Sequence, residues 1–288
     1  MLRFRTYLVV FATLSCFALP TILYAAPQPL VGARDFNGCA FAPDGGSMLF
    51  GCKNGKEWEI RRLDLRASTL QAGVALKASD ATLITTGVTP VPFLGGGRLL
   101  FVRRGKEGGL WVRDMSGGRE VQLRKDPFFG LPPTISANGR LVLVSRSAGK
   151  THRIGTIDVR TGDYKSLAGD DMTQPALNAA GTRLLFIRAG QVWVRDLTSG
   201  KDSQLTRVAF ECSGPTWGPG DQTLAFAAAD TQKSGGIGLL NLSTGQLSWV
   251  ATGLREPASP SIAPDGRSLV YIAGGASDKD MALYRLWL

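Results

Sequence analysis

Ala42-Pro43-Asp44-Gly45 with the apolar run Met48-Leu49-Phe50, and Ala263-Pro264-Asp265-Gly266 with Leu269-Val270-Tyr271, are two copies of one unit. Four looser copies lie between them. Leu94-Gly95-Gly96-Gly97 precedes Leu99-Leu100-Phe101, and Ser136-Ala137-Asn138-Gly139 precedes Leu141-Val142-Leu143. Asn178-Ala179-Ala180-Gly181 precedes Leu184-Leu185-Phe186, and Gly218-Pro219-Gly220-Asp221 precedes Leu224-Ala225-Phe226. Counted at the fourth turn residue, the copies stand 52, 42, 42, 40 and 45 residues apart. Short apolar strands and Gly-containing turns at a period of about 40 to 50 residues predict a β-propeller. Six copies predict six blades.

A second turn follows each of the first five copies. It opens at Asp64, Asp114, Asp158, Asp196 and Asn241, and in the last four a Gly follows within four residues (Gly117, Gly162, Gly200, Gly245). A side-chain oxygen there accepts a backbone N–H two residues on, and Gly supplies the positive φ that such turns use. Turn chemistry accounts for these acids without a catalytic role. Each repeat therefore reads as a four-stranded antiparallel blade: inner strand, first turn, second strand, third strand ending at Asp or Asn, second turn, outer strand. The sixth copy has a third strand at Ala282–Trp287 and no outer one. Pro29-Leu30-Val31-Gly32 is expected to complete that last blade and close the ring, because an open ring leaves unpaired strand edges.

The chain begins with basic Arg3 and Arg5, an apolar run from Tyr7 to Leu19, and small residues Ala25 and Ala26. This reads as a secretory signal peptide over residues 1–26, with residues 27–288 forming one propeller in the periplasm or outside the cell. Pro20 and Thr21 break the run and disfavour a retained anchor helix. Cys39 and Cys52 fall on the first two strands of the first blade. Adjacent antiparallel strands bring such a pair into disulfide range, and an oxidising compartment permits the bond. Two buried free thiols are the alternative. Cys212 reads as a buried apolar residue.

The residues for common chemistries are scarce. His152 is the single histidine, no Cys-x-x-Cys pair exists, and no G-x-S-x-G elbow exists. Gly149-Lys150-Thr151 resembles the end of a phosphate loop, but Val144 stands where its first Gly belongs. The inner strands are mostly apolar or small, with Asn37 and Gln174 the amides near them. No metal site and no cofactor is expected.

The formal charge is +10, and about +8 without Arg3 and Arg5. The loops joining second and third strands gather on one face of a propeller, together with the loops linking successive blades. They carry Lys53, Lys56, Arg103, Arg104, Lys106, Arg146, Lys150, His152, Arg153, Arg188, Lys233 and Lys279. Acidic Glu57, Glu107, Asp230, Asp278 and Asp280 share these loops, and Asp80, Asp126, Asp170, Asp171, Glu211 and Glu256 are assigned to the blade-linking segments. Such a face suits an acidic protein or an anionic glycan. A solvated basic surface is the plain alternative. Nucleic acid is not expected, since no aromatic-interleaved basic strand or groove-reading helix is present.

The six turn segments resemble the TolB-like (WD-like) propeller repeat, in which an apolar residue, Ser/Ala-Pro-Asp-Gly and a short apolar strand follow one another. Ala42–Gly45 and Ala263–Gly266 carry the resemblance most closely, and it extends from about Phe36 to Leu288. The resemblance implies a six-bladed propeller with a partner-binding habit and transfers no catalytic residue. TolB itself has an additional α/β domain ahead of its propeller, whereas about ten residues separate Ala26 from the first blade here. The expected function is a non-enzymatic, envelope protein-binding module acting through its basic loop face. The alternatives use the central channel: a small-molecule or sugar-processing enzyme, or an anionic glycan binder.

Overall fold

The computed structural model describes residues 27–66, 74–125, 129–136, 138–148, 151–167, 171–274 and 280–288. The expected signal peptide lies outside them. Six antiparallel sheets form the six blades. Blade 1 contains Phe36–Phe41, Ser47–Asn54, Glu57–Asp64 and Thr82–Thr86; blade 2 contains Val88–Pro92, Arg98–Arg103, Gly109–Asp114 and Glu120–Arg124. Blade 3 contains Phe129–Ile135, Leu141–Ala148, Thr151–Asp158 and Tyr164–Ser166; blade 4 contains Thr173–Leu177, Arg183–Arg188, Gln191–Asp196 and Asp202–Gln204. Blade 5 contains Glu211–Trp217, Thr223–Ala229, Ser234–Asn241 and Leu247–Arg255; blade 6 contains Ala258–Ile262, Ser268–Gly274 and Met281–Trp287.

Gln28–Ala33 is the outer strand of blade 6, pairing antiparallel with Met281–Trp287 in the register Gly32↔Ala282. Leu30 and Val31 of this strand are buried, so apolar packing and ladder bonds both hold the ring closed. One element departs from four strands per blade. Leu76–Lys77, in the long connection inside blade 1, pairs in parallel with Val31 and Gly32 and makes a fifth strand of blade 6. Arg61 anchors this connection by donating to the Ala81 carbonyl at 2.6 Å. The first repeat is the longest because it contains this detour.

The turn chemistry places the blades. Gly45, Gly96, Gly139, Gly181 and Gly266 take φ between 65 and 72°, and Asp221 takes the same place in blade 5 with φ 58°. The first turn of blade 2 is thus Phe93–Gly96, one residue earlier than the sequence pattern set it. Asp114, Asp158, Asp196 and Asn241 each accept backbone N–H groups two and three residues on. These bonds hold the carboxyls of Asp114, Asp158 and Asp196 below the usual range; at Asp114 the Ser116 hydroxyl contributes most.

Between blades the second strands supply the core. Phe50, Phe101, Phe186, Phe226 and Tyr271 occupy one equivalent position in five blades and are fully buried, with Val144 in blade 3. Each is three residues past the start of the strand that follows the turn, the period-two face that a blade presents to its neighbour.

Cys39 and Cys52 do not pair in the structure; both are free thiols, as is Cys212. A bulge between Phe36 and Cys39 sets Cys52 opposite Phe36 and Cys39 opposite Phe50, so the two sulfurs do not share a rung. The Cys39 thiol donates instead to the Ser259 carbonyl of blade 6 at 3.1 Å. Burial pushes the Cys39 thiol up to about 12; it also pushes Cys52 up to about 11, with the Arg61 charge opposing. Protein comprising residues 27–288 is therefore expected to react slowly with an aromatic disulfide reagent at pH 8 and fully in guanidinium. Fast native labelling of Cys39 or Cys52 contradicts this placement.

Candidate partner-binding face

Every inner strand whose dihedrals depart from the ladder does so at one place, four residues before its turn. Gly38, Thr89, Gln174, Gly214 and Ser259 have φ between 49 and 82° there. Ladder shifts flank each position. Blade 3 has Pro132 at this position, which cannot take positive φ. The bulges lie in the first half of each inner strand, at the end where second strands lead into third strands. They therefore ring the channel mouth on the loop face. They also lock neighbouring blades together: Gly214 donates its N–H to Gln174 Oε1, and Cys39 bonds blade 6. A left-handed conformation in β-branched Thr89 is costly and persists because its surroundings fix it.

Three residues ahead of the bulges stand Asp35, Asp171, Glu211 and Glu256, with Thr86 and Phe129 in blades 2 and 3. The loop face is therefore zoned, with acidic residues entering the inner strands and basic residues farther out in the loops. Asp35 is missing from the acidic residues assigned by sequence, and its place three residues before Gly38 is the signal that finds it. Asp80, assigned there to a blade-linking segment, lies at the opposite end of blade 1, where its carboxylate accepts the Lys77 N–H at 3.0 Å.

The structure divides the predicted basic residues into two groups. Several are committed within the fold. Arg103 pairs with Glu120, which also takes Arg113 at 2.8 Å and the hydroxyl of Thr85, in blade 1, at 2.6 Å. The Arg103 guanidinium lies 4.4 Å from the Trp111 ring centre. Burial alone raises the Glu120 carboxyl, but the bonds from Thr85, Arg113 and Arg103 outweigh it and hold it below its usual range.

Blade 4 repeats the device. Asp202 pairs with Arg195 at 2.6 Å and with Arg188 at 2.9 Å, and Arg188 lies 5.2 Å from the Trp193 ring centre. The bond from Arg195 dominates the depression of the Asp202 carboxyl. Lys233 pairs with Glu256 at 2.7 Å, and Lys53 stands 3.8 Å from Asp35. These two contacts join the acidic and basic zones.

The second group is exposed. Lys56, Arg104 and Lys106 are solvent-facing, and among the described residues none has a carboxylate within ion-pair distance. Arg104 lies 5.5 Å from the Trp58 ring centre, joining the loops of blades 1 and 2. Lys150 and the side chains of Arg146 and His152 lie outside the described residues, as does Lys279; Arg153 is exposed. The described residues contain no group of three or more His, Cys, Asp or Glu side chains that fits a metal ion. No described helix is long and apolar enough to cross a membrane.

No known sequence-family profile matches the chain, and no curated protein sequence is similar to it. Solved structures are similar in fold. TolB from Acinetobacter baumannii superposes with TM-score 0.67 at 14% identity, over 84% of this chain. The chain spans 64% of the length of that TolB. The putative TolB from Agrobacterium tumefaciens superposes with TM-score 0.63 at 15% identity, over 88% of this chain and 91% of that one. An oligogalacturonate lyase in complex with manganese superposes with TM-score 0.58 at 14% identity, over 89% of this chain and 90% of that one. These likenesses are of a six-bladed β-propeller, and the fold hosts both kinds of protein.

Proposed function

We propose that the protein is an exported, non-enzymatic propeller that binds an envelope protein through the loop face, at the sector made by blades 1 and 2. The observation that carries this reading is the contrast within the basic residues. Arg103, Arg188 and Lys233 are held by Glu120, Asp202 and Glu256, while Lys56, Arg104 and Lys106 stand exposed, with Arg104 over the Trp58 ring. Exposed cations beside an aromatic ring suit an acidic protein surface, because they steer its approach and the ring adds apolar contact. Rigid blades hold these loops in fixed relation. The likeness to two TolB structures supports a binding propeller, and the apolar start of the chain supports export.

The test is affinity capture from envelope extract by residues 27–288, at low and at high salt, with bound proteins identified by mass spectrometry. A specific acidic protein released by salt is the expected result. Capture of nothing at either salt overturns the reading.

A further inference from the structure

We propose a second site on the opposite face: a pocket between blades 1 and 2 that binds a small amphiphile with an apolar body and one carboxylate head. The pocket has a volume of about 390 Å³. That is at the lower end of ordinary ligand sites. Leu49, Pro92, Leu99 and Met115 give it an apolar wall, and Arg62 and Arg98 line it beside them.

The pocket lies at one of two junctions in the ring of first turns where, among the described residues, the turn glycine meets nothing: Gly96 between blades 1 and 2, and Gly181 between blades 3 and 4. At the junction of blades 6 and 1, a Cβ placed on Gly45 would lie 3.7 Å from Pro264 of blade 6. At the junction of blades 5 and 6, the same probe on Gly266 finds Pro219 at 3.8 Å, and at that of blades 2 and 3 Gly139 finds Phe93 at 3.0 Å. Blades 4 and 5 are joined by Asn178 donating to Asp221 at 2.8 Å. At the junction of blades 1 and 2 the turn is Phe93–Gly96 with Gly97 after it, and a Cβ on Gly95, Gly96 or Gly97 meets nothing within 4 Å. Three side-chain-less residues leave the space between this turn and Pro43 open. Leu94 on its rim is 59% exposed, a large apolar side chain without cover.

The two arginines are the unusual part. Arg98 has the place in its strand that Arg183 has in blade 4. Arg183 stands 3.8 Å from Asp221, the turn residue of the next blade. Blade 3 has Gly139 at that place, so Arg98 makes no ion pair among the described residues; it lies over the Phe93 ring at 4.3 Å, with Asp114 opposite it in the ladder and near enough to feel its charge. Arg62 corresponds to Arg285 of blade 6. Both donate to the serine that starts the second strand, Ser47 and Ser268. Arg285 is covered by the Trp287 ring at 3.8 Å, whereas blade 1 has Asp64 opposite Ser47, and Asp64 is engaged by the Arg66 amide. Arg62 has no ion pair among the described residues. Asp44, also in the pocket wall, accepts the Gly46 N–H at 3.0 Å and stands 3.8 Å from Arg66. Two guanidiniums without ion pairs beside an apolar wall match a carboxylate on an apolar body.

The probe is octanoate, read by methyl NMR of methionine-labelled protein. Met115 reports the pocket, and Met172, in the core of blades 3 and 4, reports the fold. Octanoate is expected to shift the Met115 methyl saturably and leave Met172 in place, and octyltrimethylammonium at the same concentration is expected to do neither. Arg62→Gln with Arg98→Gln is expected to weaken octanoate binding at least about tenfold. The single variant Arg98→Gln, which loses no hydrogen bond or ion pair within the fold, is expected to weaken it in the same direction with Met172 unmoved. No saturable Met115 shift, an equal shift with the cationic amphiphile, or unchanged affinity in both variants overturns the proposal.

Discussion

Replacing Phe226 with alanine is expected to destabilise the protein by about 3–5 kcal/mol, read as the change in urea unfolding midpoint at constant slope. Phe226 is fully buried. Its ring packs on Trp249 in its own blade and fills the space above Gly238, where an added Cβ would lie 2.5 Å from the ring. It belongs to the core shared with Leu185, Ile187 and Val192 of blade 4. The truncation removes contacts between two rigid sheets that cannot collapse onto the gap, so the cavity remains and adds to the lost transfer energy. Because whole domains are stable by only about 5–15 kcal/mol, the variant is expected to populate unfolded chain at 37 °C. Exposed Leu83→Ala, on the outer strand of blade 1, is the control and is expected to change stability by less than about 0.5 kcal/mol.

The second large effect lies in a polar staple. Asp202→Ala removes the carboxylate that Arg188 and Arg195 share; their side chains are 27% and 15% exposed, and Arg188 lies against the Trp193 ring. Removing one member of a mostly buried cluster strands the others, and the expected cost is about 2–4 kcal/mol. Its pH dependence has a definite sign. The folded carboxyl of Asp202 is held below the ordinary value. Its contribution is therefore fully present above the unfolded value of about 3.9 and is lost as pH falls through the folded one. The gap in unfolding free energy between wild type and Asp202→Ala is expected to be constant from pH 8 to 5 and to shrink below pH 4. A gap that grows toward low pH contradicts the assignment.

The staple also explains what was legible in the sequence and what was not. Blade number, ring closure and the Asp and Asn turns follow from local chemistry repeated at a fixed period, and each lies where the pattern put it. The first turn of blade 2 does not: Gly95, Gly96 and Gly97 are all able to take the positive φ, and only the bond from Gly96 N–H to the Phe93 carbonyl selects Gly96. The Cys39 and Cys52 register fails for a related reason, since the bulge at Gly38 is a ring-wide device invisible within one strand pair.

The basic loop face was legible as a position, but not as a set of free charges. Arg103 and Arg188 look alike as loop-end cations, and only the fold brings Glu120 and Asp202 to them from the outer strands. One signal does carry this. The runs Phe101-Val102-Arg103 with Trp111-Val112-Arg113 and Phe186-Ile187-Arg188 with Trp193-Val194-Arg195 each precede an acidic residue opening the outer strand. A repeated Arg, Trp, Arg and acid set marks a structural cluster, and charge reversal at Arg103 would break the fold as well as the face.

The most direct test of the proposed function therefore leaves Arg103 in place. Lys56, Arg104 and Lys106 are changed together to Glu, and a matched variant on the opposite face carries Arg160→Glu, Lys201→Glu and Arg267→Glu, so that net charge changes equally. Binding of the captured envelope partner is measured for both after circular dichroism confirms wild-type melting. The loop-face variant is expected to lose at least about tenfold in affinity, chiefly through slower association, with the turn-face variant near wild type. Equal binding by both variants, or equal loss in both, contradicts a docking site at blades 1 and 2.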